Sequence, residues 1–190
     1  MARPVVKKQD IENAAIHLFA TKGLAQTTVK DIASEAGVTE GALYRHYPGK
    51  NAMAWQLFCR EIEKFSVELG TRMFEQGAGL VVRLESSIRF IFEYYAKYPV
   101  QFAFILLTQH GFPEEKILDV ASNPVDMVER FVDEAVRADE IPAMNSKLAS
   151  GLILGLVLQV MVMHRYDRIE IDNAVIDDVV GAVRRVLMLG

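Results

Sequence analysis

The stretch from Thr39 to Lys50 sets the small Gly41 and Ala42 beside the longer polar Tyr44, Arg45 and His46. A helix lying in a DNA major groove needs that mixture. Small residues let its backbone approach the duplex, and long polar ones reach base edges or phosphates. At helical spacing Leu43 and Tyr47 turn inward against Ile32 and Ala36, which sends Glu40, Gly41, Tyr44 and Arg45 outward. Thr28, Thr39 and Lys50 stand near expected helix starts, where free backbone N–H groups and the positive dipole end hold phosphate oxygens. His46 adds a further phosphate contact, and Arg3, Lys7 and Lys8 form a basic arm for the adjacent backbone or minor groove. Glu40 repels phosphate yet accepts from cytosine N4, so it either carries sequence preference or points away. Each of these residues also has a plainer role. The two threonines cap helices in any fold, Tyr44 serves as a half-buried aromatic, and Lys50 is a solvated charge.

Other candidates for chemistry are sparse. His110 and His164 begin no metal-ligand spacing with a cysteine or another histidine, and His164 with Asp167 makes only half a site. Cys59 stands in no activating setting and reads as a buried or neutral position rather than a redox sensor. The chain has no phosphate-binding glycine loop, no G-x-G-x-x-G after a strand and no serine-nucleophile motif. Catalysis has no supporting residues, and neither a metal nor a cofactor is expected.

The elements that must carry these residues read almost wholly with the helical period, in long intervals between prolines 4, 48, 99, 113, 124 and 142. A first helix covers about 8–21, with Ile11, Ala14, Ala15, Leu18 and Phe19 on one face and Gly23 ending it. Thr28 starts a second. Its Val29, Ile32, Ala33 and Ala36 share a face, Asp31 suits its N-terminus, and Gly37 ends it. A third helix, capped by Thr39, stops at Pro48 and Gly49. Two short helices joined by Gly37 and Val38 form a helix-turn-helix pattern. Beyond them, helices are expected over 50–74, 80–98, 145–166 and 172–189, with an apolar segment over 100–109. A partly helical connection follows over 113–123, and Asn123 caps a helix that begins at Pro124 and runs to about Asp139. The fold expected is all-α, with about nine helices.

Composition supports a folded chain. Of 190 residues, 51% are hydrophobic and 24% charged, which suffices for a sizeable core and excludes disorder as the main state. Residues 1–50 hold 7 Lys or Arg against 5 Asp or Glu, whereas the rest carries a net charge of −6, so a polyanion is drawn to the head and repelled elsewhere. A single cysteine excludes an internal disulfide framework and suits a reducing cytoplasm. The N-terminus has no apolar signal core, so a cytoplasmic location and no membrane partner are expected. The longest apolar run, Leu148–Met163, has 16 residues, below the ~18–20 of a membrane span, and reads as a buried helix.

From Thr27, Thr28, Val29, Lys30, Asp31, Ile32 and Ala33, through Ala36, Gly37, Val38 and Thr39, to Tyr44, Arg45, His46, Tyr47, Pro48 and Lys50, the chain resembles the DNA-binding domain of the TetR family of bacterial transcriptional regulators. The match is dense and in order over about residues 8–55. Three positions depart: Gly49 stands where a capping Ser is frequent, Asn51 where an acidic residue is frequent, and Tyr47 where Phe is commoner. The resemblance implies an N-terminal three-helix, helix-turn-helix DNA-binding domain over 1–50. A helical ligand-binding and dimerisation domain over 51–190 is implied to follow. It further implies an effector-dependent regulator, a repressor rather than an activator, bound to a palindromic operator in double-stranded DNA.

Residue content indicates the effector's nature. Between 80 and 166, Phe90, Tyr94, Tyr95, Phe102, Phe104, Met127, Phe131 and Met163 offer aromatic and flexible surface, with Thr108, Gln109, His110 and Gln159 as polar handles. A small, largely apolar molecule fits that lining, although the same residues pack a core with or without one. Residues 148–163 are apolar nearly all round, so one bundle face does not cover them, and Gly151 and Gly155 permit close helix approach. The next helix adds a stripe of Val175, Ile176, Val179, Val180, Val183, Val186 and Leu187. Two such helices from each chain make a four-helix homodimer interface; in the alternative they close the monomer's own core. A second functional reading keeps the DNA-binding head but has the body sense a protein partner without any ligand.

Overall fold

The structure, a computed structural model, describes residues 8–107, 112 and 123–189. Among these described residues nine α-helices occur: α1 (Lys8–Thr21), α2 (Val29–Glu35), α3 (Glu40–Tyr44), α4 (Lys50–Met73), α5 (Leu80–Lys97), α6 (Pro99–Phe102), α7 (Pro124–Arg137), α8 (Ser146–Arg165) and α9 (Asn173–Val186). A π-helical segment, Ala103–Leu107, follows α6 directly, and no strand occurs among the described residues. Contacts gather the chain into two units, 1–62 with 98–117 and 63–97 with 118–190. The expected division at residue 50 is one of role. By contact, the start of α4 and the α6–π segment group with the head. The basic arm residues Arg3 and Lys7, the handles Thr108, Gln109 and His110, and most of the 113–123 connection lie outside the described residues.

In the first unit, local chemistry places the helix ends. Gly23 and Gly37 take φ of +86° and +68°, the left-handed region that ends α1 and turns the chain from α2 towards α3. The Thr28 hydroxyl accepts from the Asp31 N–H at 3.1 Å while the Asp31 carboxylate accepts from the Thr28 N–H at 2.8 Å, a complete capping box. Thr39 occupies the N-cap of α3 but makes no side-chain cap bond, which corrects the cap expected there. Helix α3 ends at Tyr44 rather than running on to Pro48. Its last turn tightens, His46 N–H reaching the Leu43 carbonyl at 3.0 Å, because a residue before proline disfavours the α region.

The core of this unit is aromatic and aliphatic. Ile32, Leu43, Phe19, Phe102 and Phe104 are all fully buried. Phe19 stacks on Phe104 at 6.0 Å, Phe58 meets Phe104 edge-on at 6.0 Å, and Trp55 packs against Phe58 at 5.9 Å and Phe112 at 5.1 Å. Helix α1 packs against α2, α6 and the π segment, so its buried surface is wider than one stripe. Glu12, Ile16 and Ala20 are buried there, while Leu18, expected on the core face, is half-exposed.

In the second unit, Phe65 stacks on Phe90 at 5.7 Å and meets Tyr94 edge-on at 5.1 Å. Asn123, Asn145 and Asp172 cap α7, α8 and α9, accepting from Val125, Leu148 and Val175 N–H at 3.1, 3.1 and 2.9 Å. Helix α9 buries Val179, Val180 and Val183, and its C-cap Leu187 is buried as well, as the stripe predicts. Helix α8 differs from the buried helix expected. It has 20 residues, long and apolar enough by length and composition to cross a membrane, and only 28% of its apolar window is buried. Ala149, Ser150, Ile153, Val157 and Met161 form its buried face. Leu148 and Leu152 are 62% and 48% exposed, and they share an outward stripe with Gly151, Gly155 and Gln159. A helix apolar all round carries no facing information in its own period, so its neighbours α7 and α9 decide which face is covered.

Candidate DNA-binding interface

Helix α3 has five residues, too few to be stable alone, and one of them, Leu43, is buried. With Leu43 and Tyr47 inside, Glu40, Gly41, Tyr44, Arg45 and His46 are all exposed and Ala42 is half-buried. Tyr44 is 53% exposed, a large aromatic held out in water. The structure thus brings together the outward set that the helical period predicts. Thr28 and Thr39 are exposed at the starts of α2 and α3. The Thr28 hydroxyl is engaged in its capping box, so what it presents to an anion is the helix end itself. Lys50 departs from the solvated cation of the plain reading. It is half-buried, and its Nζ donates to the Leu24 carbonyl at 2.7 Å, tying the start of α4 to the turn after α1. An ammonium has three donors, so two remain for a phosphate.

Two ion pairs link α1 and the turn after it to α2. Lys22 Nζ donates to Asp31 Oδ2 at 2.7 Å, and that bond, with those from the Thr28 backbone and hydroxyl, brings the Asp31 carboxyl down to about 2. Asp31 is therefore ionised, but its charge is matched by Lys22. His17 Nδ1 lies 2.7 Å from Glu35 Oε1, an exposed link between α1 and α2.

Beneath α3 lies a cluster that the sequence reading did not single out. Glu12 is 2% exposed. Its Oε1 accepts from the Tyr47 hydroxyl at 2.5 Å and its Oε2 from Arg60 Nη1 at 2.6 Å. Arg60 Nε donates to Glu61 Oε1 at 3.0 Å, and Lys8 Nζ lies 3.5 Å from Glu12 Oε1. Burial pushes the Glu12 carboxyl up, but the bonds from Tyr47 and Arg60 and the charges of Arg60 and Lys8 outweigh it and hold it below the ordinary carboxylate range. Burial, with the adjacent Glu12 carboxylate, pushes the Tyr47 phenol well above its usual value, so it remains a donor. The available signal was Tyr47 itself, since a hydroxyl on an inward-turned ring needs a buried acceptor.

The candidate effector residues are divided. Phe90, Tyr94, Tyr95, Met127 and Phe131 are buried in the second unit and Met163 is half-buried there. Phe102 is a core residue of the first unit instead. Gln159 lies on the exposed stripe of α8 rather than on its buried face, because the helix turns Val157 and Met161 inward. Thr108 and Gln109 lie outside the described residues. His164 is a structural partner, 3.0 Å from the Tyr95 hydroxyl through Nδ1 and edge-on to its ring. Cys59 is half-exposed. No cluster of three or more metal-ligating side chains occurs among the described residues.

A short helix locked from beneath, presenting small and polar residues outward after a glycine turn, defines a helix-turn-helix head of the DNA-binding class. Residues 11–57 match the sequence profile of bacterial regulatory proteins of the tetR family. Over those residues the chain is similar to that family. It is 49% identical over 47 residues to the uncharacterized HTH-type transcriptional regulator YerO of Bacillus subtilis, a match covering 25% of this chain and 16% of that protein. It is 38% identical over 52 residues to the HTH-type transcriptional repressor KstR2 of Mycolicibacterium smegmatis, covering 27% of this chain and 25% of the other. These alignments span about a sixth and a quarter of the relatives' own lengths. The transcriptional regulator FadR of Bacillus subtilis, solved in complex with stearoyl-CoA, shares the fold over 96% of this chain and 97% of its own, with a TM-score of 0.72 and 23% identity. These relatives are regulators, not enzymes.

Proposed function

We propose that the chain is a dimeric transcriptional repressor that reads a palindromic operator with α3 and releases it when a small apolar effector binds within residues 51–190. The outward set Glu40, Gly41, Tyr44, Arg45 and His46, projecting from a helix whose Leu43 is fully buried, carries the DNA-reading part. Thr28, Thr39 and Lys50 hold phosphate from the helix starts around it. Repression is supported by KstR2, a repressor with a similar head. The stearoyl-CoA bound to FadR and the aromatic interior around Phe90, Tyr94 and Phe131 support a long-chain acyl-CoA as the first effector to test. Helix α4 runs unbroken from Lys50, just after the α3 segment, to Met73. An effector that prefers one pose of α4 changes the separation of the two heads in the dimer, and a rigid palindrome no longer matches.

Duplexes selected from a random library should contain an inverted repeat with half-sites about 34–36 Å apart or a whole turn more. Arg45→Ala should relax preference at one position of each half-site at a cost of ~1–3 kcal/mol. Equal losses on selected and random duplexes would move Arg45 to the phosphate contacts. Stearoyl-CoA should raise the melting temperature and lower affinity for the selected duplex. Stabilisation without any loss of affinity defeats the proposed coupling.

A further inference from the structure

We infer that Glu12 is a positioning residue for DNA reading: by holding the Tyr47 hydroxyl and the Arg60 guanidinium at once, it sets the pose of α3 against α1 and α4. This rests on the reading of α3 as the recognition helix. Helix α3 has little of its own to fix its orientation, with five residues, no side-chain bond at its N-cap and Leu43 as its buried anchor. Apolar packing around a single leucine is non-directional and leaves rotation about the helix axis weakly determined. Tyr47, three residues beyond the end of α3, supplies a directional tie, its hydroxyl 2.5 Å from a carboxylate that is 2% exposed. The second oxygen of that carboxylate accepts from Arg60 on α4 at 2.6 Å.

The α1 carboxylate therefore ties α4 and the turn after α3 together through its two oxygens, with Lys8 of α1 at 3.5 Å as further compensation. A buried ion pair adds little stability over apolar residues of the same shape, and register is its best-attested contribution. It is the Tyr47 hydroxyl, not the ring, that meets the buried Glu12. The same tie transmits a tilt of α4 to α3, because Arg60 and Tyr47 share one rigid acceptor.

The test uses the full chain and two probes, a duplex selected by the wild type from a random library and an unselected duplex of equal length. Tyr47→Phe keeps the ring and removes the hydroxyl alone. It should bind the selected duplex about tenfold more weakly, equivalent to ~1.4 kcal/mol, and change affinity for the random duplex by less than about twofold, with the salt slope unchanged. Circular dichroism at the assay temperature should show it folded. Glu12→Gln should lose selectivity similarly, and the double variant should lose no more than the larger single loss, since both changes break one tie. Tyr47→Phe that lowers only the melting temperature, leaving the ratio of the two affinities intact, overturns the inference by reducing the cluster to a stability element. So do equal losses on both duplexes. A wild type that binds both duplexes alike overturns the regulator reading itself, and this inference with it.

Discussion

Two carboxylates in the head stay ionised by different means. Asp31 is reached by Lys22 Nζ and by the Thr28 backbone and hydroxyl, which bring it from an ordinary 3.8 to about 2, whereas Glu12 is buried and held by Tyr47 and Arg60. A carboxyl whose folded value is depressed contributes stability above its unfolded value and loses it as pH falls through the folded one. For Asp31 that window runs from 3.8 down to about 2. A carboxyl-detected NMR titration should find Asp31 titrating near 2, and Lys22→Ala should move it up towards 3.8 because the largest cause is removed. An Asp31 that titrates at the ordinary value in the wild type contradicts the geometry of the α2 cap. Tyr47 and Lys50 show the other side of this scale. Each was assigned a direction by local rules, inward and outward respectively. The partner that completes each, Glu12 and the Leu24 carbonyl, comes from another element.

Helices in this chain end where the chemistry of single residues ends them. Gly37 at φ +68° turns the chain from α2 towards α3, and no atom lies within 4 Å of where its Cβ would stand. The cost of replacing it is therefore conformational rather than steric. Gly37→Ala should destabilise the chain by ~1–2 kcal/mol in urea unfolding, and Gly37→Asn by less, since asparagine tolerates the left-handed region. Equal effects of the two would show that the turn changes conformation to accept a side chain. The segment after α5 obeys a different logic. Pro99 starts α6, but the shift from α to π at Ala103 has no local signal in the apolar run that follows. Packing against α1, where Phe104 stacks on Phe19, is what the sequence did not disclose.

At the scale of the whole molecule, α8 leaves an apolar stripe exposed among the described residues. Leu148 and Leu152 project from it, with Gly151 and Gly155 between and beyond them, a surface suited to close approach of a second copy. The proposed interface pairs α8 and α9 of one protomer with those of its partner. Leu152→Glu should then shift sedimentation equilibrium towards monomer at about micromolar concentration and weaken operator binding, because two half-sites are no longer held by one body. Its monomer should stay folded, since Leu152 is 48% exposed and outside the covered face. A wild type that sediments as a monomer at that concentration removes the interface.

Much of the head was legible because its signals are local. Caps, glycine turns and the period that sends Leu43 inward and Tyr44 outward act within one or two turns of helix, and the structure reproduces the extents of α1, α2 and α7 to α9 to within about three residues. Only the tertiary structure decided the rest. Glu12 and Arg60 are 48 residues apart and Lys50 and Leu24 are 26 apart, so no window of sequence contains either pair. Phe102 joined the head's core and Gln159 turned outward for the same reason. An apolar or polar residue states what environment it prefers, but which neighbour supplies that environment depends on how distant helices pack, and a helix apolar on every side, such as α8, leaves that choice entirely to its neighbours.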